Sequence, residues 1–258
     1  MLITTSKHLT SQIELKAQSL VKELGSQLVE RNNYGLRKLM EAFQASGILV
    51  VLEDGLKYVS LDGSELFFHP NMAKIRVTSL LGGLTDRLLT IADIKPGDTI
   101  LDCTSGLATD AIVMSFAVGI SGKITSVESE AVPFVLAKDG LKSYQSGVSQ
   151  LDNAMRRVEV FQADHLDFLR KLPTHSMDIV YFDPMFRQPD RAIALTPLRH
   201  LANHSPIQEA SIHEAKRVGR RKVILKEHKS SGEFERLGFR LVPSKSNSNV
   251  DYGVIQLV

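Results

Sequence analysis

The chain has 258 residues, 43% of them hydrophobic and 23% charged, with a net charge of +2. That balance fits one large globular domain, or one domain with an appendage, and excludes a disordered or fibrous chain. A single cysteine, Cys103, excludes an internal disulfide framework and speaks against a cysteine-based metal site.

The pI near 8.6 admits nucleic acid as a partner without requiring it. Apolar runs such as 111–120 are too short to span a bilayer. The first ten residues lack the basic stretch and long apolar run of a signal peptide, so a cytoplasmic protein with no membrane partner is expected.

In chain order, residues 2–5 read as a short strand. Thr10 or Ser11 caps a helix over 12–24 that Gly25 ends. Residues 27–31 read as a brief strand, and Leu36, Leu39, Met40 and Phe43 mark a second helix ending near Gly47. Three β-like runs follow, 48–52, 56–61 and 65–68, separated by the turn signals Glu53-Asp54-Gly55 and Asp62-Gly63-Ser64. Residues 1–70 therefore read as a small N-terminal α/β subdomain, with the main domain over 71–258.

Asn71 is placed to cap a helix running through Ile75 and Leu80. A further helix is expected over 84–94, and Lys95-Pro96-Gly97-Asp98 is a turn. From there strand and helix patterns alternate: strands at 99–101, 123–128, 158–164, 177–183 and 222–226, helices at 110–118, 131–144, 166–172 and 207–218. Two last strands, 239–242 and 252–257, have no long helix between them. The alternation predicts a mainly parallel sheet covered on both faces. Seven strands closing on an antiparallel hairpin predict a Rossmann-like sheet of the methyltransferase kind rather than that of a dehydrogenase.

Ligands of such sheets sit at the carboxyl ends of the strands. Here those ends carry Asp102, Glu128, Asp164 and Asp183. Each acid alone is accounted for as a solvated loop carboxylate; four in successive units point to a site. An acid ending the second strand can bind both ribose hydroxyls of a nucleoside, and one ending the third can accept from an adenine amine.

The loop Asp102 to Asp110 leaves backbone N–H groups at a helix start, and Gly106 lets the backbone approach a ligand. The pyrophosphate fingerprint G-x-G-x-x-G is incomplete, with Ala108 at its second position. S-adenosylmethionine, which has no pyrophosphate, is therefore favoured over a dinucleotide.

Asp183-Pro184-Met185-Phe186 follows an apolar strand. The arrangement suits methyl transfer to a planar exocyclic amine. Asp183 and the Pro184 carbonyl accept N–H groups and Phe186 stacks on the base. The other reading is a turn in which Pro184 stops the strand and Phe186 packs under a loop.

Arg217, Arg220, Arg221 and Lys222 precede a strand, Lys226 and Lys229 stand at and beyond its end, and Arg187 and Arg191 follow Phe186. Together they suit a phosphate-binding rim, with Arg187 and Lys226 as the expected substrate contacts. His69, His165, His200, His204, His213 and His228 show no metal-ligand spacing, so no metal is expected.

Asp183-Pro184-Met185-Phe186 resembles the [DN]-PP-[FY] motif of amino-methyltransferases, with Met185 for the second proline. LDCTSGLATDA, VES, YFDPMF and RKVILK together resemble the RsmJ-type family of small-subunit rRNA guanine-N2 methyltransferases over roughly residues 66–258.

The resemblance implies an S-adenosylmethionine-dependent enzyme acting on ribosomal RNA. It implies cofactor contacts at Thr109, Asp110, Glu128, Ser129, Asp164, His165 and Asp183. The chain departs from that family at Ala108, where glycine is expected, and at Thr109, where arginine is common. Two rivals stand beside this reading: a methyltransferase for a small-molecule or protein amine, and a non-catalytic RNA-binding module that keeps the fold. A nicotinamide-dependent reductase is disfavoured by the missing glycines and the terminal hairpin.

Overall fold

The computed structural model describes residues 1–32, 34–185, 198, 201–244 and 248–257. The first elements are β1 (Leu2–Thr5), α1 (Ser11–Leu24), β2 (Gln27–Leu28), α2 (Leu36–Ala42), β3 (Gly47–Val51), β4 (Leu56–Ser60) and β5 (Glu65–Phe67). They build a five-stranded sheet in the order β2-β1-β3-β4-β5. Strands β2, β1 and β3 are parallel, and β3, β4 and β5 are antiparallel.

Thr10 caps α1 by accepting the Ile13 N–H at 3.3 Å, and Gly25 ends it at φ 57°. Its buried face, Ile13, Ala17 and Leu20, falls at helical spacing. Two expectations here are corrected. Strand β2 covers only two residues, and α2 stops at Ala42, so that Gly47 opens the fully buried strand β3 instead of closing a helix.

Helices α3 (Asn71–Leu81) and α4 (Arg87–Ala92) lead into the second sheet. α4 starts later than its apolar residues suggest, because Asp86 is its cap and accepts the Leu89 N–H at 3.2 Å. Then come β6 (Thr99–Asp102), α5 (Thr109–Val118), β7 (Lys123–Glu128), α6 (Ala131–Ser143), α7 (Ser149–Arg156), β8 (Val158–Gln162), α8 (His165–Lys171) and β9 (Met177–Phe182). The chain closes with α9 (Glu209–Val218), β10 (Gly219–His228), α10 (Glu233–Arg236), β11 (Arg240–Val242) and β12 (Val250–Gln256).

The seven strands lie in the order β11-β12-β10-β9-β6-β7-β8. The expected parallel sheet is present from β8 to β10, and β12 runs antiparallel to both β10 and β11. Helices α7 and α10 were not expected, and β10 begins earlier than 222.

Successive residues of the central strands serve opposite cores. Ile100, Ile179 and Ile224 pack with α3, α5 and α7; Leu101, Val180 and Leu225 pack with α8 and α9. That is why these strands read as unbroken apolar runs.

Helix α6 joins the two sheets. Ala137 and Leu141 belong to the core of the large sheet, while Val132, Phe134, Val135 and Leu136 share a core with Ile3, Leu49 and Tyr58 of the small one. Gly140 makes this close fit possible, since a methyl there would overlap the buried Phe68 ring.

Candidate active site

After β8 the chain crosses from one side of β6 to the other, and β6 lies between β7 and β9. Such a switch point leaves a crevice at the carboxyl ends of the strands. The loop after β6 is pinned there by its own backbone. The Cys103 N–H donates to the Tyr181 carbonyl and the Ser105 N–H to the Val127 carbonyl, both at 2.9 Å. Gly106 (φ 51°) and Ala108 (φ 61°) are both left-handed. Glycine takes that conformation without penalty, whereas alanine pays roughly 1 kcal/mol. The Ala108 methyl is fully buried in the core with Ala111 and Ile112 and forms no part of the cavity wall.

Asp102 is 1% exposed and accepts the Thr104 N–H at 3.0 Å and the Ser126 hydroxyl at 2.9 Å. Burial pushes its carboxyl up to about 7 against those two hydrogen bonds.

A cavity of about 330 Å³ opens above this loop. Gly106, Glu128, Ser129, Asp164, His165, Asp183 and Pro184 all line it. Asp102, Thr109 and Asp110 do not: Asp102 lies beneath the loop, and Asp110 faces a separate charge cluster.

Glu128 receives the Gly106 N–H on Oε2 at 2.8 Å and the Glu130 N–H on Oε1 at 2.9 Å, so each oxygen keeps a lone pair. Burial raises its carboxyl above the usual range, opposed by those N–H groups. Asp164 caps α8 through Oδ1, which accepts from Leu166 at 2.8 Å and Asp167 at 3.1 Å. His165 pairs with the Ser211 hydroxyl at 3.0 Å and sets its ring edge-on to Phe182; burial lowers its imidazole, with Asp164 opposing. One wall, Asn203, Ser205, Pro206, Ile207 and Gln208, comes from the segment before α9, and none of these residues was expected at the site. Its only local signals there are Ser205 and Pro206.

Asp183 stands beside Lys226 at the cavity edge. Lys226 Nζ donates to Asp183 Oδ2 at 2.6 Å and to Asp110 Oδ2 at 3.0 Å, and the Asp183 N–H donates to Thr104 Oγ1 at 2.5 Å. Asp110 also accepts from the Tyr181 hydroxyl at 2.7 Å and pairs with Arg76.

Burial works against the Asp110 charge, but Lys226 and Arg76 outweigh it and hold the carboxyl well below the usual range. Burial likewise opposes the charge on Lys226, and the two carboxylates raise it above an ordinary lysine. Asp183 is pushed up to about 7, chiefly by burial, with Lys226 opposing and Asp110 adding.

Lys226 thus faces inward. The cluster Arg217 to Lys222 also departs from the expected rim, because it sits at the opposite, amino end of β10. Arg217 donates to the Leu169 and Leu172 carbonyls at 3.0 and 2.9 Å, closing the end of α8. Arg220 reaches the His175 carbonyl at 2.6 Å, Arg221 pairs with Asp98, and Lys222 reaches the Ile91 carbonyl at 2.9 Å. Phe186, Arg187, Arg191 and His200 lie outside the described residues.

Cys103 is a buried free thiol whose pKa burial raises, in keeping with a packed residue rather than a nucleophile. Among the described residues no His, Cys, Asp and Glu side chains group as a metal site, and no helix is long and apolar enough to cross a membrane.

Comparison with known proteins agrees with this geometry. Residues 41–235 match the family described as "Putative SAM-dependent methyltransferase". The uncharacterized protein YpiP of Bacillus subtilis (strain 168) is 38% identical over 256 residues, 99% of either chain. Ribosomal RNA small subunit methyltransferase J of Acinetobacter baumannii (strain SDF) is 28% identical over 147 residues, 55% of this chain and only 50% of that enzyme. A crystal structure of a SAM-dependent methyltransferase from Neisseria gonorrhoeae shares the fold at a TM-score of 0.62 and 14% identity, covering 99% of this chain and 96% of that one.

The donor set fits S-adenosylmethionine. Glu128 offers two acceptor lone pairs to a ribose, Asp164 keeps an oxygen for an amine, and the cavity is within the size range of small-molecule sites. Fold, cavity and family match agree: the chain belongs to the S-adenosylmethionine-dependent methyltransferases.

Proposed function

We propose that this enzyme methylates an exocyclic base amine in RNA, namely guanine N2 of small-subunit ribosomal RNA. The observation that carries the reading is Asp183-Pro184 at the end of β9, on the wall of the cofactor cavity. The likeness to ribosomal RNA small subunit methyltransferase J supports RNA as the substrate. S-adenosylmethionine supplies an electrophilic methyl on a sulfonium.

Glu128 would hold the ribose hydroxyls of the cofactor, and Asp164 would accept from its adenine amine. Gly106, Ser129 and His165 complete the cofactor wall. Asp183 and the Pro184 carbonyl each accept one N–H of the substrate amine and turn its nitrogen toward the methyl. With the cofactor in place, the nitrogen lone pair would form the new N–C bond and the C–S electron pair would leave with sulfur. The proton then shed by the nitrogen passes to Asp183 or through it to water. Orientation supplies most of the acceleration, since the leaving group is already good.

The test is transfer of labelled methyl to unmethylated small-subunit RNA, followed by nucleoside mass spectrometry. N2-methylguanosine with wild type and its loss with Asp183→Ala are expected. Labelled product on a small molecule or a protein, with none on RNA, would overturn the substrate assignment.

A further inference from the structure

Phe182 is registered against Leu225 in the sheet, so the next residues, Asp183 and Lys226, are neighbours by construction. Lys226 Nζ spans Asp183 Oδ2 and Asp110 Oδ2 at 2.6 and 3.0 Å. Asp110 is secured from two further sides, by the Tyr181 hydroxyl at 2.7 Å and by Arg76 of α3. Arg76 in turn forks onto Asp86 at 2.7 and 2.9 Å. Lys226, Asp110 and Arg76 lie outside the cavity wall, whereas Asp183 lies on it. A cation engaged by two carboxylates has little left to offer an RNA phosphate.

We propose that Lys226 is a positioning residue for methyl transfer: it engages Asp183 Oδ2 and so presents Oδ1 to the substrate amine, while Asp110, fixed by Arg76 and Tyr181, keeps Lys226 in place. This rests on Asp183 being the acceptor of that amine. The ammonium also sets how readily Asp183 ionises and can accept a proton. Among the described residues, the charged and titratable groups around Asp183 are Lys226 of β10, Asp110 of α5, Asp102 at the end of β6, Tyr181 of β9 and Tyr252 of β12, with Arg76 of α3 one step away through Asp110. Lys226 and Arg76 are the cations among them, and only Lys226 contacts Asp183 directly.

The experiment is a carboxyl ¹³C NMR titration of Asp183 in the full chain, assigned with Asp183→Asn. With Lys226→Met the Asp183 midpoint moves up by about one pH unit or more, as expected when an opposite charge within hydrogen-bond range is removed. Lys226→Arg restores it, and Asp110→Asn moves it down. Lys226→Gln, which keeps hydrogen bonds but no charge, stands in if the methionine variant does not fold.

An Asp183 midpoint unchanged by loss of Lys226 overturns the proposal, and this readout needs no substrate. Cofactor affinity by calorimetry stays within about threefold of wild type, because Lys226 is not a cavity residue. On RNA, kcat falls roughly 100-fold with little change in KM, and the rising limb of the pH profile moves upward with the Asp183 midpoint. If the midpoint shifts as expected but wild type transfers no methyl to RNA, the substrate assignment fails and the role of Lys226 stands.

Discussion

Replacing Glu128 with alanine should weaken S-adenosylmethionine binding by roughly two orders of magnitude. Each Glu128 oxygen spends one lone pair on a backbone N–H, from Gly106 or Glu130, and keeps another for the cavity. Two ribose hydroxyls can therefore be accepted side by side. A hydrogen bond to a charged group contributes about 1.5–3 kcal/mol net, or about 3–6 for the pair. Water that enters the emptied space recovers part of this, so the lower end applies, and about 3 kcal/mol corresponds to roughly 100-fold in Kd.

Glutamine should recover little, since its NH₂ would point at one of the two backbone donors. Calorimetric titration reads the affinity, and a parallel melt confirms folding. The melt should record a loss of about 1–2 kcal/mol from the stranded N–H groups. Because burial raises the Glu128 pKa, affinity should fade on acidification at a higher pH than for a free carboxylate. A folded Glu128→Ala protein that binds the cofactor within threefold of wild type would refute the reasoning.

Two further outcomes concern stability. Asp102 has its carboxyl raised from 3.8 to about 7, so the native state keeps a proton that the unfolded chain releases. Its contribution therefore declines as pH rises from about 4 to about 7, and Asp102→Asn should gain on wild type across that window, by an amount on the order of 4 kcal/mol at its upper end. Urea melts at pH 5 and pH 8 measure this, and a gap that fails to widen would count against it. Gly140→Ala gains about 1 kcal/mol of helix propensity but forces a methyl into Phe68, which costs about 1–3 kcal/mol. The variant should melt lower than wild type, and a Phe68→Ala background, which removes the ring but keeps the Phe68 Cβ, should narrow the gap without closing it.

The order of strands and helices was legible because β6, β7, β8 and β9 each end in or run shortly into an acid, and apolar runs recur between helical patterns, signals that survive without knowledge of partners. Helix α7 was missed because only Leu151, Ala154 and Met155 are buried on it, too few to establish a period. β10 reaches back to Gly219, where Arg220 and Arg221 find Asp178 and Asp98 across the fold; in the sequence they read as part of a phosphate-binding rim ahead of the strand.

The same limit applied at the site. Glu128 and Asp183 announce themselves by ending strands. The partners of Lys226 are 43 and 116 residues away, and Arg76 meets Asp110 across 34. No local spacing encodes such pairs. Ala108 looked like a defect in a glycine loop; its left-handed backbone and buried methyl show a conformation that alanine can hold when a core surrounds it.

Helix α6 has a consequence for how the molecule comes apart. A helix that covers a sheet normally keeps one face wet, yet this one feeds two cores and has buried residues from Val132 through Leu141. Peeling the small sheet away would bare Phe134, Val135 and Leu136 at once, so partial opening there is penalised almost as heavily as full unfolding. The amides in the middle of α6 should therefore rank among the slowest in the chain to exchange with deuterium, and the two sheets should lose their protection together in one cooperative event.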